Sequence, residues 1–233
     1  MLSQSSLGCW LLLVGILIVN SAHAVTISPV MIELSNAKRV VSVTISNPSD
    51  QPINFQAETL SWRQSDGNDH YEPTDELVVA PPIAQIPPKS KQIFRVAMRV
   101  PNLNNDERAY RLILEDVSEV SATQLGVVNI RFRHNLPVFV VPADEEKISL
   151  RWSKCSAPAG QGCVRLDNEG NRRIRFLELV VAGDGWQKTI SGGTVLSKSW
   201  KSWQFDLPGG QSQPVSIKAK TVNHGAISAN LSD

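Results

Sequence analysis

The stretch Lys91-Gln92-Ile93-Phe94-Arg95-Val96-Ala97-Met98-Arg99-Val100 decides the fold. Phe94, Val96, Met98 and Val100 alternate with Ile93, Arg95, Ala97 and Arg99, which gives one wholly apolar face and one that carries charge. A strand lying on a core requires that period of two, because successive side chains of extended backbone point to opposite sides. Just upstream, Val78 to Pro88 contains Pro81, Pro82, Pro87 and Pro88. Each proline removes a ladder donor, so this segment is expected to lie across a sheet edge and lead into the strand, not to form a central ladder.

Toward the N-terminus, Val40 to Asn47 puts Val41, Val43 and Ile45 on one face and Ser42, Thr44 and Ser46 on the other, and runs into the turn Asn47-Pro48-Ser49-Asp50. Val25 to Leu34 is a first strand broken by Pro29, which suits an edge strand or one that switches between sheets. Ile53 to Arg63 is a third strand, carrying Phe55, Ala57, Thr59, Leu60 and Trp62, and Gln64 to Asp69 reads as a polar turn. Toward the C-terminus follow a loop at Pro101–Asp106, a strand at Arg108–Val117, a loop at Ser118–Gln124 and a long apolar-rich strand or strand pair at Leu125–Val141. About seven strands before Pro142 suffice for one immunoglobulin-like sandwich. Pro142-Ala143-Asp144-Glu145-Glu146-Lys147 is a charged hinge. Beyond it, Ile148–Trp152, Cys163–Asn168, Arg173–Ala182, Trp200–Leu207 and Pro214–Val222 make a second, smaller all-β unit. The chain is therefore read as all-β, with domains at residues 25–141 and 142–233.

Leu7 to Val19 is an apolar run that ends in the small-x-small pattern Ala22-His23-Ala24, although Met1 to Gly8 contains no Lys or Arg. It is too short to cross a bilayer comfortably, so residues 1–24 read as a cleaved signal peptide and not as a membrane anchor. No other apolar stretch is long enough to span, and stable membrane insertion is not expected. Lys+Arg 23 against Asp+Glu 22 gives a formal charge of +1, which supplies no electrostatic reason to expect nucleic acid as a partner. Cys9 sits inside the signal, leaving Cys155 and Cys163. An even pair in an exported chain reads as one disulfide. A two-thiolate metal site would need further ligands, and none of the four histidines falls at a ligand spacing, so neither metal nor cofactor is expected. Gly192-Gly193 is not a phosphate loop, no Gly-x-Ser-x-Gly elbow occurs, and His70, His134 and His224 are scattered, which argues against an enzyme.

Six local stretches, in order, resemble the pilus periplasmic chaperone family of the chaperone-usher pathway. They are Val25-Thr26-Ile27-Ser28-Pro29-Val30, Val43-Thr44-Ile45-Ser46-Asn47, the run from Pro81-Pro82 through Ile86-Pro87-Pro88 to Val96, Glu107 to Val117, Leu136-Pro137-Val138-Phe139-Val140-Val141-Pro142, and Thr221-Val222-Asn223-His224-Gly225-Ala226. The similarity is greatest to the branch called archaic or spore-coat-like. The resemblance implies two immunoglobulin-like β-sandwich domains in an L shape with a cleft between them, a periplasmic location, and two partners: a pilin or fimbrial subunit and an outer-membrane usher.

It also implies a mechanism by donor-strand complementation, in which the chaperone lends a strand to a subunit that lacks its own. Val128, Ile130 and Phe132 alternate with Val127, Asn129 and Arg131 and would be the donor face. Periodicity alone favours these three as the inward face of their own sandwich, and only the resemblance reverses that preference. An uncovered apolar strand also favours self-association of the free protein. The family fixes register by holding the subunit's C-terminal carboxylate with basic side chains, but the matching positions here are Met31 and Pro137, which carry no charge. Arg111 becomes the first candidate, on the face opposite Tyr110, Leu112 and Leu114 and beside the last strand, followed by Arg131 and Arg133. The competing reading is an exported immunoglobulin-like module that binds an extracellular ligand or serves adhesion. Under that reading Trp186, Trp200 and Trp203 would form a sugar platform, although packing in the core of the second unit explains them more simply.

Overall fold

The computed structural model describes residues 24–119, 131–209 and 212–232. Its first unit is built from β1 (Thr26–Ser28), β2 (Ile32–Leu34), β3 (Val40–Ser46), β4 (Ile53–Ser65), β5 (Asn68–Pro73), β6 (Leu77–Ala80), β7 (Ile83–Ile86), β8 (Lys91–Met98), β9 (Arg108–Asp116) and β10 (Arg133–Val140). One sheet has the order β1-β3-β8-β6; the facing sheet runs β2-β10-β9-β4-β5, with β7 also paired to β4. The alternating residues of β3 and β8 meet as read: Val43, Ile45, Phe94, Val96 and Met98 are buried against Ile32, Phe55, Leu112, Leu114 and Val138 of the other sheet. Burying each such side chain contributes roughly 1.5–3 kcal/mol. Val100 lies past the end of β8 and is exposed, so the apolar face stops one alternation earlier than the sequence pattern.

The prolines act as switches between sheets. β1 and β2 flank Pro29, and β1 pairs with β3 while β2 runs parallel to β10. The expectation that Val78–Pro88 lies across an edge is corrected in the same sense. The segment is two short strands, β6 on β8 and β7 on β4, separated by Pro81-Pro82, so a proline pair moves the chain from one sheet to the other without needing the lost donors in either ladder.

Gln64–Asp69 is not simply a polar turn. β4 continues to Ser65, turns at Asp66-Gly67 with φ of 52° and 75°, and returns as β5. Two successive positive φ values are what a two-residue hairpin needs, and Asp-Gly is the dipeptide that supplies them. Gly67 has a second reason to be glycine, because a Cβ there would come within 2.8 Å of the Trp200 ring.

The second unit comprises β11 (Leu150–Lys154), β12 (Gln161–Asn168), β13 (Ile174–Gly183), β14 (Trp186–Val195), β15 (Ser199–Asp206), β16 (Ser216–Thr221) and β17 (Ala226–Asn230). The sheets β11-β12-β15 and β14-β13-β16-β17 enclose Trp152, Val164, Leu166, Phe176, Leu179, Val181 and Ile217. β14 and β17 are additions to the strands read from the sequence, and β14 again follows an Asp-Gly turn, Asp184-Gly185. Cys155 and Cys163 are joined, with Cα atoms 5.0 Å apart. Trp186 and Trp203 pack on this core, whereas Trp200 does not: it lies under the Arg165 guanidinium at 4.0 Å and against Gly67 of the first unit.

Candidate functional site

Burial along β10 changes steeply on a single face. Val140 and Val138 are 0 % exposed and Leu136 is 8 % exposed, His134 is half-buried, and Phe132, next in the same alternation, is 59 % exposed. The backbone does not leave the sheet there, since Asp116 N donates to Phe132 O at 3.0 Å. The strand thus continues beyond the point where its own core covers it, although Phe55 two strands away in the same row is still buried, and it carries an inward-facing aromatic ring into the open. Val128 and Ile130, grouped with Phe132 in the sequence as the donor face, lie outside the described residues.

The outer face of the same sheet is built in cross-strand rows. Phe139, Ala109, Trp62 and Tyr71 are successive partners across β10, β9, β4 and β5, and Trp62 lies 5.9 Å from Phe139 and 6.3 Å from Tyr71 between ring centroids. The adjoining row is Pro137, Arg111, Leu60 and Pro73. Met31 precedes Ile32, the partner of Val138, and so stands next to Pro137 at the end of that row. Arg111 is therefore a direct cross-strand neighbour of one of the two positions that lost their charge. Its guanidinium sits 3.8 Å from the Trp62 centroid and 5.7 Å from that of Tyr71, a geometry in which the ring quadrupole holds the cation. Arg111 has no carboxylate partner among the described residues, and its Nε is buried without a hydrogen bond. Arg133 is paired with Glu58 at 3.0 Å and Glu115 at 3.7 Å, and Arg131 donates to Ser118 O at 2.7 Å. The structure thus separates the three arginines: one on an aromatic shelf without an acid, one neutralised, one on a main-chain carbonyl.

The aromatic shelf was not apparent from the sequence. Trp62 is fixed by its indole N–H, which donates to Asp69 Oδ1 at 2.9 Å across the hairpin, and Tyr71 stands on β5. Recognising Asp66-Gly67 as a hairpin turn would have placed both residues side by side.

Trp62 and Phe139 also pack on Leu196 of the second unit. Around that contact, Gln64 Nε2 donates to Thr194 O at 2.9 Å and its Oε1 accepts from Leu196 N at 2.8 Å. Arg173 reaches from the start of the second unit's β13 to Glu107 and Glu33, with its guanidinium 3.5 Å from the Phe139 centroid. Burial pushes the Glu107 carboxyl above its ordinary range, and the neighbouring Arg173 charge offsets this only in part. A groove of about 930 Å³ opens beside this junction, lined by Trp62, Glu72, Glu76, Arg108, Tyr110 and Leu196 among others. Its basic side chains are already matched, Arg108 to Glu76 and Arg63 to Glu72, so it offers no free cation to a carboxylate.

Residues 24–145 match the family model of the pili and flagellar-assembly chaperone, PapD N-terminal domain. No curated protein sequence matches the chain. Among solved structures, the chain is similar to one in the CsuC–CsuE chaperone–tip adhesion subunit pre-assembly complex from archaic chaperone-usher Csu pili of Acinetobacter baumannii, with TM-score 0.70 and 20% identity over 90% of this chain and 98% of that one. It is also similar to one in the Salmonella enterica SafA pilin–SafB chaperone complex (TM-score 0.63, 15% identity, 90% and 97% covered) and to the E. coli chaperone DraB (TM-score 0.59, 16% identity, 90% and 97% covered).

Proposed function

The chain belongs to the pili and flagellar-assembly chaperone family, and from that premise we propose that it is a periplasmic chaperone that lends a strand to pilus or fimbrial subunits and passes them to an outer-membrane usher. The observation that carries this reading is the burial gradient on β10, from Val138 with no exposed surface to Phe132 in the open. A subunit short of its last strand leaves an open core and an unpaired edge, both prone to aggregation. A donated strand answers both, with main-chain hydrogen bonds along the edge and apolar side chains at every second position. Phe132 supplies one such side chain, and Val128 and Ile130 extend the alternation. Each contributes roughly 1.5–3 kcal/mol when buried in the groove, before ordering costs.

Arg111 takes the register-fixing role. A cation that lacks an acid, held on Trp62 beside Pro137, is suited to a subunit's C-terminal carboxylate, and the partly dry site strengthens that pairing. Residues 25–141 and 142–233 are the two domains in this reading, with the Glu107–Arg173 pair and the Trp62–Phe139–Leu196 contact setting the junction, and Arg111 lies beside it on Trp62. An exported ligand-binding or adhesion module would bind through loops and gives no account of an inward strand face that runs off its own core.

Co-expression with a pilin-type subunit tests the reading. The expected product is a soluble one-to-one complex, weakened by Arg111→Glu in a chaperone that remains folded. Full capture by Arg111→Glu would remove Arg111 from the anchor, and no capture by the wild type would overturn the function.

A further inference from the structure

We propose that His134 reads the bound subunit: its imidazole makes a hydrogen bond to a hydroxyl or carboxamide side chain in the wall of the subunit's groove, and so selects which subunits the strand accepts. The inference rests on the strand-donation reading and adds a specificity residue to it.

His134 lies on β10 in the inward alternation, opposite the fully buried Leu114 and between Leu136 and Phe132. Its ring is 6.3 Å from that of Phe55 and nearly parallel to that of Phe132 at 6.1 Å. Its Nε2 is shielded from solvent and has no hydrogen-bond partner among the described residues. Asp116, two residues along β9 from Leu114, accepts instead from Ser118 N at 2.9 Å.

Folding does not explain an imidazole in this place. Leu136, Val138 and Val140 continue the same face with apolar side chains, and a neutral imidazole brings one donor and one acceptor that both require partners. An apolar residue of similar size would leave nothing unpaired. The side chain stacked on His134 that is free to leave is Phe132, which is mostly exposed. When Phe132 enters a subunit's groove, the groove wall takes its place against the His134 ring, at the joint between the two cores. A subunit presenting a polar side chain there satisfies the orphaned nitrogen, while a wholly apolar wall buries it unpaired, which is the asymmetry from which strong discrimination arises. A one-residue slip of the subunit along the strand would carry its polar side chain away from His134 and lose the bond, so the same contact favours the correct register.

The test uses a pilin-type subunit that the wild-type protein captures in co-expression, with complex dissociation followed for His134→Leu and His134→Gln. His134→Leu is expected to be at least as thermally stable as the wild type but to release the subunit about tenfold faster or more. His134→Gln, which carries an amide near the position of Nε2, is expected to stay within about threefold of the wild type. Wild-type residence in the His134→Leu complex, equal losses in both variants, or failure of His134→Leu to fold would each overturn the proposal. If the wild type captures no subunit, the strand-donation reading itself fails, an outcome distinct from capture that is indifferent to residue 134.

Discussion

At Val138 the inward side chain of β10 has no exposed surface, while at Phe132, on the same face of the same strand, more than half of the residue is open. Alternation states which side of a strand is apolar. It does not state whether the molecule supplies a core on that side. Around Val138, the sheet containing β3 and β8 closes over the face; at Phe132 that cover has ended, while the ladder to β9 persists through the Asp116–Phe132 hydrogen bond. One end of the strand holds this protein together, and the other, on the function proposed above, is offered to the core of a partner.

The two ends should therefore respond to substitution in opposite ways. Val138→Asp places an unpaired carboxylate in the closed core and should cost more than about 4 kcal/mol, leaving little folded protein in a denaturant titration. A small effect would mean that the closed end is not closed.

Next in size is the junction behind that end. Arg173→Met should cost about 3 kcal/mol at neutral pH, because it leaves the buried Glu107 carboxylate without its main counter-charge. Glu107 has its folded pKa raised, by burial first, so the stability it contributes is complete below its ordinary value of 4.5 and is lost as pH rises through the raised value. Removing Arg173 raises that value further, so the penalty should deepen from about pH 4.5 toward neutrality. A penalty that is flat with pH would show that Glu107 does not titrate in this way.

Cys155→Ser with Cys163→Ser opens a short loop in the second unit and should cost about 2–3 kcal/mol in the same titration, without weakening subunit capture by the protein that stays folded. A loss of capture in fully folded protein would bring the second unit into the binding surface. Phe132→Ala should change stability by no more than about 0.5 kcal/mol, since the ring is largely exposed, and yet reduce subunit capture about tenfold or more. The reverse pattern, lower stability with intact capture, would return Phe132 to its own core.

Much of the framework was legible because burial writes itself into alternation, as in Phe94, Val96 and Met98, and because a proline such as Pro29 marks where a ladder must break. β5 escaped because Asn68-Asp69-His70-Tyr71-Glu72-Pro73 is exposed throughout and has no apolar face to alternate. Only the Asp66-Gly67 turn announces it, as Asp184-Gly185 announces β14. The site divides in the same way. The face on which Arg111 stands follows from Tyr110, Leu112 and Leu114 within one strand. Its seat on Trp62 depends on the register between β9 and β4, and the Glu107–Arg173 pair joins residues 66 positions apart, which no local pattern encodes.

The most direct measurement of strand donation is amide hydrogen exchange over residues 125–132, free and in complex with a captured pilin-type subunit. Donation predicts that exchange in this segment slows by orders of magnitude on binding, with protection extending through Phe132, because each donated amide acquires a partner in the subunit's edge. Unchanged exchange across 125–132 in a stable complex would contradict the account and place the binding surface elsewhere.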